Sequence, residues 1–318
     1  MPLDLTGEGF NRKPRKESKN SEFQTATTEN KAAMWIPTVP KYSLDDLILD
    51  THIREAILDA VAFYSYQDVV MGEWGLAERF ADRINLSINL YGDSGTGKTM
   101  AAHAIADALD KQIIFVDYAE IESKYVGETS KNIKKLFEEA SAQDAVIIFD
   151  EADALLSKRV TDMRSSTDVS VNQTRSVLLN ILNEYTGIVI FTTNFIQNFD
   201  PAFIRRIRYQ IRFDLPNKEL RQHLWEMYIP SKLPTNASTI TLAEKYEGIS
   251  GSDIANAVFS AAIKAARLGA DKVDMSFFED AIMSIIKAKK ENAGTRETIT
   301  KRVVTEQYVK QQLGVEEI

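Results

Sequence analysis

The sequence predicts an α/β fold built on a parallel sheet, followed by a small all-helical domain. Three observations point there. Strand-like apolar runs at 87–91, 112–117, 145–149, 188–192 and 209–213 alternate with segments of helical periodicity, the pattern produced when strands are joined by helical crossovers. A glycine-rich loop, Gly92 to Gly97, separates the first of these runs from a helical one. Beyond Leu215-Pro216 the strand signals cease and only helical patterns remain.

Taken in order, residues 1–40 are polar, with Arg12, Lys13, Arg15, Lys16 and Lys19 scattered among Asn, Ser and Thr. Such a segment is expected to be a flexible arm, its basic cluster a solubilising feature rather than a partner contact. Ile53, Ala56, Ile57 and Ala60 then fall at helical spacing, and a second helical stretch is expected from Trp74 to Ala81. The strand Ser87 to Tyr91 leads through the glycine loop into a helix carrying Met100, Ala101, Ala104, Ile105 and Leu109. Between the second and third strands, Ile133, Leu136, Phe137 and Ala140 make one apolar helix face. Between the third and fourth, Val171, Thr174, Leu178, Ile181 and Tyr185 do the same, with Gly187 placed to end the helix.

The helical part contains Leu220 to Tyr228, ended by Pro230, then Ile254 to Leu268, ended by Gly269, then Phe277 to Lys287. These patterns divide the chain into an arm (1–40), an α/β domain (41–214), a helical lid (215–292) and a C-terminal helix or tail (293–318). Trp74 and Trp225 sit in apolar helical patterns and are expected in the core. His52, His103 and His223 are isolated and are not expected to bind metal.

Composition narrows the function classes. The 318 residues are enough for two compartments, and 44% hydrophobic with 26% charged residues is ordinary for a folded globular protein. A net charge of -8 disfavours nucleic acid as the main partner, because non-specific affinity for it comes from Lys and Arg neutralising phosphates. With no cysteine there is no disulfide, thiolate metal site or thiol nucleophile. The start lacks the layout of a secretory signal, and no apolar run approaches the ~20 residues needed to span a bilayer. A cytoplasmic protein is expected.

The chemistry is concentrated in two motifs. Gly92-Asp93-Ser94-Gly95-Thr96-Gly97-Lys98-Thr99 fits G-x-x-x-x-G-K-[ST], the phosphate-binding loop. Its glycines let the backbone wrap around phosphate, its N–H groups and the following helix N-terminus supply positive potential, Lys98 can reach the β and γ phosphates, and Thr99 can ligate Mg²⁺. Met100 completes the expected ATP-binding set. The apolar run Val146 to Phe149 ends in Asp150 and Glu151, the arrangement of a Walker B strand. Asp150 can hold Mg²⁺ through its waters, and Glu151 can polarise the attacking water.

Six motifs in order resemble the AAA+ superfamily, within it the group that includes spastin, katanin and related protein-remodelling ATPases. They are Gly92 to Thr99, Ser123 to Thr129, Phe149 to Leu155, Thr192-Thr193-Asn194, Asp200 to Arg206 and Gly248 to Ile254, and the resemblance spans residues 43 to 290. It implies a P-loop domain with a helical lid, assembled as a ring, expected hexameric, with ATP between subunits. It implies that Asn194 is sensor 1 and that Arg205 is an arginine finger, with Arg206 or Arg208 as the second, since Arg206-Ile207 replaces the group's usual Pro-Gly. It places Lys124, Tyr125 and Val126 in a pore loop gripping a protein substrate. It sets Gly251 and Ser252 against the nucleotide, with Ser252 or Ser250 capping the helix, and assigns adenine contacts to the main chain of Asp46 to Leu49. The implied activity is an ATPase that remodels, unfolds or disassembles a protein; the rivals are an ATP-switched scaffold and a DNA-directed ATPase.

Overall fold

The computed structural model describes residues 35–80, 85–117, 128–157, 166–194 and 199–292. Its centre is a five-stranded sheet of β1 (Leu86–Gly92), β2 (Ile113–Asp117), β3 (Val146–Asp150), β4 (Ile188–Thr193) and β5 (Tyr209–Phe213), all parallel, in the order β2-β3-β4-β1-β5. Parallel neighbours need crossover connections, and the helices between strands supply them. These are α3 (Lys98–Ala108), α4 (Glu128–Ala142), α5 (Asp153–Leu156), α6 (Ser166–Glu184) and α7 (Pro201–Arg206). Before β1 come α1 (Thr51–Ser65) and the single turn α2 (Ala77–Phe80).

Side chains alternate across each strand, so the sheet feeds two cores. Ile147, Phe149, Val189 and Phe191 face α4 and α6, where the Phe149 and Phe191 rings stack 5.2 Å apart. Val146, Ile148, Ile188 and Ile190 face α1 and α3. Helix α3 buries Ala101, Ala102, Ala104 and Ala106, and these small side chains allow a close approach to the sheet. A third core belongs to the lid, in α8 (Lys218–Tyr228), α9 (Thr239–Lys245), α10 (Gly251–Arg267) and α11 (Met275–Asn292), where Trp225 packs edge-on against Phe278.

Helix starts follow from their caps: Asp50, Asp200, Asn217, Ser238 and Ser250 each accept a backbone N–H of the first turn. Ser250, not Ser252, caps α10.

Several expectations need correction. Trp74 is 69% exposed, unlike Trp225, which is fully buried. Of the helical stretch expected from Trp74 to Ala81, the described residues form the single turn α2 over Ala77–Phe80, and Trp74 itself caps a π-turn over Asp68–Glu73 that precedes it. Gly187 is absent from the left-handed glycines and does not cap α6; a Cβ there would come within 2.4 Å of Tyr185 Oη. Gly269 does take that role after α10, at φ +67. Within the segment expected as an arm, Trp35 is buried and its N–H donates to Glu139 Oε2 at 2.8 Å, while Thr38 pairs with Ile113. Helix α9 has no counterpart in the sequence expectation; its seven residues are too few to show a period. Among the described residues no helix is long and apolar enough to cross a membrane.

Candidate nucleotide site

In a parallel sheet all strands end on one edge, and ligands gather where connections leave neighbouring ends in opposite directions. Here β1 lies between β4 and β5. The loop after β1 is built for close approach. Gly92 sits at φ +144, where a Cβ would lie 2.0 Å from the Phe213 carbonyl oxygen. Gly95 sits at φ +77, where a Cβ would meet Ser252 Oγ at 2.4 Å and Ser250 Oγ at 2.6 Å. Both positions therefore exclude side chains.

Lys98 opens α3 and is buried, 7% exposed, with Nζ donating to the Gly92 and Asp93 carbonyls at 2.8 Å each. Burial pushes its pKa below the ordinary lysine value, against the opposing pull of Asp153, Asp93, Asp150 and Glu151. A desolvated ammonium held by carbonyls at a helix N-terminus suits a polyanion.

Thr99 Oγ1 donates to Asp150 Oδ1 at 2.8 Å, which brings the two expected Mg²⁺ ligands together across β1 and β3. Mg²⁺ is commonly bound by one or two side chains with waters and phosphate oxygens, and this donor set fits it. Glu151, the next residue, has φ +50 and is exposed. A non-glycine residue there is strained, and such strain gathers at functional sites. Asn194 follows β4, the strand between β1 and β3, and its N–H donates to Asp153 at 3.1 Å.

These groups line a cavity of about 600 Å³ roofed by the lid. Met100, Leu47 and Ile48 contribute, and Leu224, Met227 and Tyr228 of α8 close the apolar end. Gly251 and Ser252 line it too, and Ser252 N–H donates to the Gly95 carbonyl at 3.2 Å. An apolar compartment beside a loop of N–H donors suits a base and a polyphosphate.

The three arginines do not line this cavity. Arg205 is exposed, and among the described residues its Nε makes a long 3.3 Å contact to the Pro201 carbonyl. Arg206 bonds Asn183 Oδ1 at 2.9 Å and the Ala202 carbonyl at 3.0 Å. The Arg208 guanidinium lies 4.1 Å from the Phe63 ring centroid. Lys124, Tyr125 and Val126 lie outside the described residues. His103 Nδ1 accepts from the Lys41 backbone N–H at 3.2 Å, and burial lowers its pKa.

One polar group at the site belongs to a motif named from the sequence but had no role assigned to it. Thr192, buried on β4, donates to Asp150 Oδ1 at 2.5 Å. Its signal is a hydroxyl closing an otherwise apolar strand, Ile188 to Phe191.

Residues 88–217 match the ATPase family associated with various cellular activities (AAA). The chain is 36% identical over 204 residues to a proteasome-activating nucleotidase of Saccharolobus islandicus, covering 62% of this chain and 52% of that protein. It is 35% identical over 231 residues to the proteasome-activating nucleotidase of Sulfurisphaera tokodaii, covering 69% and 56%. The chain thus spans about half the length of the curated relatives it matches.

Proposed function

We propose that the chain, whose residues 88–217 match the AAA ATPase family, hydrolyses ATP within a ring of its own copies and uses the energy to remodel, unfold or disassemble a protein at the central pore. The observation supporting this best is the convergence of Lys98, Thr99, Asp150, Glu151 and Asn194 on one cavity from three adjacent strand ends.

In this reading the loop from Gly92 to Gly97 wraps the phosphates and Lys98 pairs with the β and γ groups. Thr99 and, through water, Asp150 would hold Mg²⁺, which would supply charge neutralisation at the phosphate oxygens. Glu151 orients the attacking water and takes its proton as the oxygen bonds to the γ phosphorus and the bond to the ADP oxygen breaks. Asn194 holds that water against the γ-phosphate. Arg205 serves the neighbouring subunit's site, where a fixed positive charge offsets the charge of the transition state. Lys124, Tyr125 and Val126 face the pore, and Tyr125 grips an extended chain by area rather than sequence.

The names of the relatives support this: both are proteasome-activating nucleotidases. The hexameric ring, and the finer affinity to the spastin and katanin group, rest on motif resemblance. The test is ATP turnover by the purified chain with and without Mg²⁺. Glu151→Gln is expected to bind ATP and hydrolyse it slower by about 10²- to 10⁴-fold. Tyr125→Ala is expected to hydrolyse ATP but no longer unfold a fluorescent protein carrying an unstructured tail. Near-normal turnover in Glu151→Gln sinks the assignment of Glu151, and intact unfolding by Tyr125→Ala sinks threading. DNA-stimulated turnover would instead favour a nucleic-acid role.

A further inference from the structure

We propose that Thr192 is the positioning residue of this site, holding both carboxylates of the Walker B turn in their working pose; the inference rests on the ATPase reading above. Thr192 makes three contacts with three consecutive residues. Its hydroxyl donates to Asp150 Oδ1 at 2.5 Å and accepts the Glu151 N–H at 3.1 Å. Its carbonyl accepts the Ala152 N–H at 2.9 Å.

The location explains why such a residue is needed. The β3–β4 ladder runs in register through Phe149 and Phe191 and gives out there. Asp150 and Glu151 lie just past that point, and Glu151 is left-handed at φ +50. A strained turn beyond the ladder persists only where surrounding contacts over-determine it. Thr192 supplies them from the adjacent strand, using side chain and main chain on successive N–H groups. The consequence for Asp150 is directional. Hydroxyls from Thr99 and Thr192 converge on Oδ1, which fixes the rotation of the carboxylate and leaves Oδ2 without a bond among the described residues. The consequence for Glu151 is that its exposed carboxylate is aimed by a backbone conformation, and that conformation is anchored at Thr192 Oγ1. Thr192 also lies two residues before Asn194, so one strand end sets sensor and base together.

Thr193, the next residue, provides the internal control. Its hydroxyl points to the other side, 3.4 Å from Asn89 Oδ1 in the sheet interior.

The experiment compares Mg²⁺-ATP turnover, ADP affinity, ring assembly and thermal melting for wild type, Thr192→Val, Thr192→Ser and Thr193→Val. Thr192→Val keeps shape and removes the hydroxyl. Its kcat is expected to fall about tenfold or more, the scale of a hydrogen bond to a charged group. KM, ADP affinity and assembly are expected to stay within about twofold, since the loop that holds the phosphates is untouched. Thr192→Ser restores Oγ and is expected to recover most of kcat, while Thr193→Val stays near wild type. If Thr192→Val does not fold, Thr192→Ala carries the same test. Unchanged kcat in Thr192→Val overturns the inference, as does an equal loss in Thr193→Val, which would reduce the effect to packing of β4. A wild-type protein without ATPase activity would instead overturn the functional reading on which the inference stands.

Discussion

The Ser252 N–H donates to the Gly95 carbonyl across 3.2 Å, so helix α10 of the lid rests directly on the phosphate loop. Loop shape and lid position are one arrangement. Gly95→Ala should disturb both, because the new Cβ would lie 2.4 Å from Ser252 Oγ. The left-handed backbone alone should cost about 1 to 2 kcal/mol, seen as a lower melting temperature. Calorimetric titration with ADP should show at least about tenfold weaker binding, as for a site held off its productive geometry. Unchanged ADP affinity would separate lid from loop.

Lys98 gives the free protein a pH signature. Its folded pKa lies below the ordinary 10.5, chiefly through desolvation. Between that lowered value and 10.5 the unfolded chain binds more protons than the folded one, so this lysine makes stability rise with pH through the window. The gain is complete above the unfolded value and absent below the folded one. Lys98→Met should lack that contribution and fail to bind nucleotide. Melting curves of the two nucleotide-free proteins should therefore converge or cross as pH rises toward 10.5. A constant separation would mean that Lys98 titrates normally.

Much of this fold could be read ahead of the structure because its signals are short-range. Five strands flagged by apolar runs, and a loop flagged by three glycines and a lysine, need no tertiary information. Lys98, Thr99, Asp150, Glu151 and Asn194 share one cavity as their strand-end positions implied. Thr192 was named only as part of the Thr192-Thr193-Asn194 motif, without a role, because that role depends on which strand lies beside β3, and strand order is not local. Trp74 misled because a helical spacing of apolar residues carries no information about a π-turn that rotates one of them outward. Periodicity marked Leu220 to Tyr228 as a helix but not its second use: Leu224 and Tyr228 pack in the lid core, and with Met227 they also wall the cavity.

Arg221 ties the lid to the point where the chain enters it. It is buried, with Nη1 donating to the Pro216 carbonyl at 2.8 Å and Nη2 and Nε to the Ala243 carbonyl at 2.8 and 3.2 Å. Arg221→Met fills similar space but strands both carbonyls, at a cost of about 2 to 3 kcal/mol for bonds to a charged donor. Hydrogen exchange should show α8 and α9 losing protection while β1 and β4 keep theirs. Uniform loss across the sheet would mean that the lid and the α/β domain unfold as one unit.

Arg205 and Arg208 should separate cleanly. Arg205 is exposed and does not line its own cavity, whereas the Arg208 guanidinium lies 4.1 Å from the Phe63 ring centroid. Arg208→Ala should cost at least about 0.5 to 1 kcal/mol of stability, the worth of a cation–π contact near the surface, with turnover little changed. Arg205→Ala should lower turnover by about 10³-fold, the scale of an arginine finger, while each subunit still binds ADP. The decisive measurement mixes two inactive proteins, Arg205→Ala and Lys98→Met. An Arg205→Ala subunit keeps an intact phosphate loop, and a Lys98→Met neighbour keeps an intact Arg205. Some interfaces of the mixed ring then pair the two good halves, and ATPase activity should reappear. If mixing restores nothing while Arg208→Ala abolishes turnover, the finger belongs to Arg208, and the Phe63 contact must break when subunits assemble.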